Sequence, residues 1–161
     1  MPDAIESSLD LVLTRDVDVT PEEIWGAWTE PEQLIQWFTP KPWITAECEI
    51  DLRPGGRFRT VMRGPEGEEF DGSSCYLEVV PNRRLVWTSA LAPGYRPQSA
   101  PEGGFTFTAF IEMERAGNGC KYTATVIHES IEDKLQHESM GFHSGWGTAL
   151  DQLVEMAKSR R

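Results

Sequence analysis

The period of the hydrophobic pattern constrains this chain more than any other feature. From Leu9 to Val19 five apolar residues fall on odd positions, Leu9, Leu11, Leu13, Val17 and Val19, which is the alternation of a half-buried strand. The period of two returns at Ile44, where Ile44, Ala46, Cys48, Ile50 and Leu52 form one face and Thr45, Glu47, Glu49 and Asp51 the other. Arg53-Pro54-Gly55-Gly56 is a tight turn, with proline suited to its second position and glycine to its third. Arg57 to Arg63 runs back, Gly64-Pro65-Glu66-Gly67 turns again, and Phe70–Val80 and Arg84–Leu91 make a hairpin across Pro81-Asn82-Arg83. Phe105 to Glu114 turns Phe105, Phe107, Ala109, Ile111 and Met113 to one side, and Ala116-Gly117-Asn118-Gly119 leads into a last strand, Lys121 to Glu129. These segments predict an antiparallel sheet of about seven strands. Between Leu91 and Phe105, the Pro/Gly/Ser-rich stretch Ala92 to Gly104 reads as a mobile loop beside an opening.

Two helical segments interrupt the pattern and one closes it. Thr20-Pro21-Glu22-Glu23 is a helix start, with Thr20 as N-cap, Pro21 in the first turn and Glu23 completing a capping box. Ile24, Ala27 and Trp28 share a face of that helix. Thr29-Glu30-Pro31-Glu32 repeats the signal, predicting a second short helix with Leu34, Trp37 and Phe38 turned inward. Helices this short form no core of their own and must cover something larger. The final thirty or so residues predict one long helix, with Phe142, Trp146, Ala149, Leu150, Leu153, Met156 and Ala157 as its buried stripe. Gly141 and Gly145 fall within it, although interior glycine costs about 1 kcal/mol relative to alanine. The architecture expected is α+β: a curved antiparallel sheet wrapped around a long C-terminal helix, with two short helices after the first strand. Residues 1–8 are expected to be a flexible N-terminus and 9–161 a single domain.

Bulk properties exclude several function classes. A chain of 161 residues buries roughly 70% of its unfolded surface, so it needs no disulfide framework. Cys48, Cys75 and Cys120 are odd in number and far apart, with no CxxC pair, so free thiols in a reducing cytosol are expected. The formal net charge of −11 opposes a phosphate backbone, and the few arginine groups are set among carboxylates, so no nucleic-acid partner is expected. Met1–Asp10 has no basic start and no apolar core, so no signal peptide is expected, and no apolar run is long enough to predict a membrane span. A cytoplasmic protein is the expectation.

No catalytic constellation emerges from the residues. His137 and His143 are six apart, whereas the zinc helix needs four so that both rings share a face; neither a metal nor another cofactor is expected. Ser73, Ser74 and Ser144 lie in no nucleophile elbow, because GxSxG does not occur. His128 shares a strand face with Tyr122, Ala124 and Val126. It is either a strand-end histidine bonded to a neighbour or a cavity group that orients a ligand or acts as a base.

Several phrases carry a family resemblance. Pro21-Glu22-Glu23-Ile24-Trp25, Trp28-Thr29-Glu30-Pro31-Glu32-Gln33-Leu34 and Trp37-Phe38 resemble the opening of proteins similar to the activator of the heat-shock-protein-90 ATPase. Asp51-Leu52-Arg53-Pro54-Gly55-Gly56-Arg57-Phe58, Val79-Val80-Pro81-Asn82-Arg83-Arg84-Leu85 and His143-Ser144-Gly145-Trp146 continue the likeness, from about Leu11 to Met156. The resemblance implies the helix-grip fold of the START-like, birch-pollen-allergen-like superfamily, with a cavity between the sheet and the final helix. Its implied occupant is a small hydrophobic molecule. Trp37, Trp43, Phe58, Met62, Trp87, Phe107, Tyr122, His128, Phe142 and Trp146 are the candidate lining, and each ring has core packing as its alternative role. The function expected is binding of an apolar or amphipathic ligand. A cyclase- or hydrolase-type enzyme and a chaperone-associated interaction module are the alternatives, and a homodimer is a further candidate partnership.

Overall fold

A computed structural model describes residues 8–161. The expected flexible N-terminus, apart from Ser8, therefore lies outside the described residues. In chain order the elements are β1 (Asp10–Val17), α1 (Pro21–Thr29), α2 (Pro31–Leu34), β2 (Ile44–Ile50), β3 (Arg57–Arg63), β4 (Glu69–Val80) and β5 (Arg84–Thr88). There follow β6 (Leu91–Ala92), β7 (Arg96–Pro97), β8 (Phe107–Ala116), β9 (Gly119–His128), α3 (Ile131–Ser139) and α4 (Phe142–Ser159). Seven strands form one sheet in the order β1-β9-β8-β5-β4-β3-β2, and every pairing is antiparallel. The first strand thus pairs with the last, and the chain returns to its starting edge before the closing helices. The apolar face of α4 buries Phe142, Ala149, Leu150, Leu153, Met156 and Ala157 in the same core as Leu11, Leu13, Ala109, Ile111, Ala124 and Val126. This is the helix-grip arrangement.

Local chemistry explains most of the boundaries. The capping box at α1 forms: the Glu23 amide donates to Thr20 Oγ1 at 3.1 Å and the Thr20 amide to Glu23 Oε1 at 2.9 Å. At α2 the repeat of that signal fails. Glu30, not Thr29, is the N-cap and makes no side-chain cap, because the Thr29 hydroxyl donates back to the Trp25 carbonyl at 2.7 Å.

Three expectations are corrected. A β-bulge between Thr45 and Glu47 inverts the face of β2, since one extra residue reverses the alternation. Thr45 is buried, Ile44 is 54% exposed, and Cys48 and Ile50 beyond the bulge are half-buried. The closing segment is two helices rather than one, because Gly141 stands between them at φ 92°, a conformation that glycine adopts without the Cβ penalty. The segment Ala92–Gly104 is more than a bare loop. Its first residues pair as the β6–β7 hairpin, which starts at Leu91, and the Gln98 amide group reaches the carbonyls of Ser73, Ser89 and Leu91 at 2.8, 2.9 and 3.2 Å.

Candidate functional site

The interior is threaded by a connected chain of rings. At one end Trp37 meets Trp28 at 5.0 Å between centroids and donates its indole N–H to the Ala27 carbonyl at 3.0 Å. Trp28 reaches Trp87 at 6.4 Å, and Phe58 lies 5.1 Å from Trp87 and 5.4 Å from Tyr76. Register explains this cluster, because Tyr76 of β4 stands opposite Trp87 of β5. Trp87 then touches Phe107 at 5.4 Å, which opens the second cluster around His137. Phe105, Phe107 and Phe142 approach that imidazole at 4.8, 5.1 and 5.2 Å. Trp146 lies 5.0 Å from Phe142 and 6.3 Å from His137.

Of the expected lining, Phe58, Trp87, Phe107, His128, Phe142 and Trp146 therefore come together along one path. Trp37 extends it at the α2 end, and Tyr122 is buried on β9 within the same core. Trp43 does not join it: half-buried, it pairs with the exposed Phe70 at 6.4 Å. Met62 is half-buried on β3, in register with Thr45 and Phe70, several strands from the histidines.

Two histidines make the most chemically distinctive contact. His128 Nδ1 lies 2.8 Å from the Leu9 carbonyl, and its Nε2 lies 2.9 Å from Nδ1 of His137. His137 is the buried residue of α3, while Ile131 and Leu135 on that helix are exposed. Burial first, and His128 second, hold His137 down to about 4, so it is neutral near pH 7. Spacing hid this residue: measured against His143 it has no partner, and its true partner lies on β9. The faint signal was a helix with few apolar residues, Ile131 and Leu135 among them, that must dock through something polar. His143 belongs to α4, where it is mostly exposed and 3.7 Å from Glu138. Among the described residues, no group of three or more His, Cys, Asp or Glu side chains is placed to hold a metal ion.

Two further features concern space and polarity. Gly145 is half-exposed at the edge of the buried stripe of α4, one turn after Phe142 and one before Ala149, and a Cβ there would meet open space, with no atom within 4 Å beyond its chain neighbours and its own helix backbone. Phe105, Phe107 and Trp146 are half-buried rather than sealed. At the other cluster the buried Tyr76 hydroxyl and Trp87 indole N–H have no hydrogen-bond partner among the described residues. Burial raises the Tyr76 hydroxyl far above its ordinary range, with Cys48 adding to the effect. Cys48 itself is pushed up to about 11 by burial, so it is a thiol rather than a nucleophilic thiolate. All three cysteines are free.

A cleft of about 490 Å³ opens elsewhere, between β1 and α4, lined by Arg15, Asp16, Val17, Asp18, Asp151 and Val154. The Arg15–Asp151 ion pair at 3.0 Å lies in it, and none of the ring residues does. Its charged walls suit solvent better than an apolar molecule. No helix among the described residues is long and apolar enough to cross a membrane.

Protein NE0264 from Nitrosomonas europaea is 47% identical, with a TM-score of 0.92 over 97% of this chain and 98% of that one. A Rhodobacter sphaeroides protein shares the fold at 20% identity and a TM-score of 0.81, covering 98% and 97% of the two chains. The AHSA1 protein of Silicibacter pomeroyi shares it at 21% identity and 0.70, covering 94% and 99%. No curated protein matches the chain. Residues 18–158 match the family described as activator of Hsp90 ATPase homolog 1-like protein, and the chain belongs to that family.

Proposed function

We propose that this protein binds a small apolar or amphipathic molecule between the sheet and the paired helices α3 and α4. The observation that carries the reading is Gly145. Gly145 sits half-exposed at the border of the buried face of α4, and a methyl group there would meet open space rather than another element, room that an apolar molecule at the mouth of the ring cluster would use. The half-buried rings of Phe105, Phe107 and Trp146 are the apolar wall such a site needs, with few polar groups to set orientation. The unpaired Tyr76 hydroxyl and Trp87 N–H deeper in the ring chain are donors that a ligand oxygen would satisfy, since a buried unmade bond costs about 1–3 kcal/mol.

Uptake of an apolar fluorescent dye tests the proposal. The wild type should bind the dye, and Gly145→Leu should abolish binding while leaving the melting temperature nearly unchanged, because the leucine fills space. A Gly145→Leu variant destabilised by about 1–3 kcal/mol, as in an overpacked core, beside a wild type that takes up no dye, would refute it.

A further inference from the structure

We propose that His128 and His137 form a two-imidazole proton relay whose open end, Nε2 of His137, accepts the hydroxyl or N–H proton of a planar apolar ligand lying against Phe105, Phe107 and Trp146. This rests on the binding site proposed above and adds to it the chemistry of recognition.

The polarity of the relay follows from one carbonyl. The Leu9 carbonyl only accepts, and it takes the backbone N–H of His128 at 3.1 Å as well as the ring Nδ1 at 2.8 Å. The hydrogen of neutral His128 is therefore on Nδ1, and its Nε2 carries a lone pair. His137 Nδ1, 2.9 Å away, must supply the hydrogen of that contact. A neutral imidazole has one N–H, so His137 Nε2 is a bare acceptor, and it makes no hydrogen bond among the described residues. Three aromatic rings approach the His137 ring at about 5 Å, and their surroundings favour a neutral imidazole there. The site thus presents one directional acceptor in an apolar, planar-walled setting. A flat molecule with a single donor fits it, and a carboxylate finds no cation in it: Lys134 on the same helix is engaged with Glu138 at 3.1 Å, and Glu138 faces His143.

The relay also gives a transferred proton somewhere to go. When the ligand's O–H or N–H bond breaks, its proton joins Nε2 of His137, the Nδ1 proton of His137 passes to Nε2 of His128, and His137 is neutral again in its other tautomer. The positive charge then resides on His128, whose Nδ1–H still donates to Leu9. The ligand retains the electron pair as its conjugate base, and reversal of the same two transfers restores it.

The test uses the full chain with 2-naphthol and 2-methoxynaphthalene, flat probes of similar size that differ in one donor hydrogen. Wild type should prefer 2-naphthol about tenfold, the worth of one hydrogen bond. His137→Phe should erase the preference, bringing the ratio of its affinities for the two probes to about one. Nitrogen-15 spectra of the wild-type imidazoles, which do not depend on any variant folding, should show N–H at Nδ1 of both histidines and an unprotonated Nε2 on His137. Equal wild-type affinities, a preference that survives His137→Phe, or a proton found on Nε2 of His137 would each overturn the relay with the cavity left standing. Binding of neither probe would instead overturn the cavity, and the relay with it.

Discussion

At the scale of single residues, His137 makes the fold sensitive to acid in a defined window. Its folded value of about 4 lies below the ordinary 6.5, so folding favours the neutral ring. The stability this confers is complete above pH 6.5 and is lost as the pH falls toward 4, because the unfolded chain then binds a proton that the folded one refuses. After allowance for partial solvent screening, the loss should reach about 2 kcal/mol near pH 4. Chemical denaturation at a series of pH values should show it, and His137→Phe should flatten the curve between 6.5 and 4. Glu23 acts in a lower window. Arg161 holds its carboxylate down to about 2 from 4.5, so its contribution disappears only below pH 4.5 and should remain in the variant. The pair was half legible in the sequence. His128 could be assigned to an inward strand face by its period, whereas the tautomer of either ring depends on a carbonyl 119 residues upstream of His128, which no local pattern encodes.

At the scale of elements, the sequence was most readable where the signal is short-range. The Thr20–Glu23 box and the alternating strands need only neighbours three or two residues away. Two of the three misreadings, at Ala46 and Gly141, come from a single residue changing the phase of a pattern. Gly141 could have been read as a helix stop, but the apolar stripe continuing through Phe142 masked it. Its role predicts an asymmetry between neighbouring glycines. Gly141→Ala, forced to φ 92° with its Cβ 3.1 Å from Ser144 Oγ, should destabilise the protein by about 1–2 kcal/mol. Gly145→Ala, in regular helix with open space beside it, should raise stability by up to about 1 kcal/mol. Thermal melts of the two variants side by side would decide the matter. The hairpin segment offers a parallel case. The Gln98 side chain ties it to three carbonyls, so Gln98→Ala should make Ala92–Gly104 the first site of limited proteolysis while the strand framework stays resistant. Equal cleavage rates in variant and wild type would show that the segment is held by other contacts.

At the scale of the whole molecule, what the sequence could not supply was the distinction between a filled and an unfilled interior. Each ring reads as apolar and inward whether it packs on another ring or on a ligand. Trp28, Trp37, Phe58 and Trp87 turn out to pack on one another, whereas beside Gly145 on α4 a Cβ would meet open space. That division has a thermodynamic consequence. A molecule that binds the folded chain and not the unfolded one adds RT ln(1 + [L]/Kd) to stability, about 2.7 kcal/mol at a hundredfold excess over Kd. For a chain of this length each kcal/mol moves the melting temperature by about 2–4 °C, so a retained ligand at that occupancy would contribute about 5–10 °C. Protein purified gently should therefore melt higher than the same protein unfolded, stripped of ligand and refolded. Adding the stripped extract back should restore the difference in wild type and fail to do so in Gly145→Leu, where leucine occupies the space. If wild type and Gly145→Leu respond alike, whatever the extract contains acts away from α4, and the Gly145 position is a local lapse in packing with no ligand to explain it.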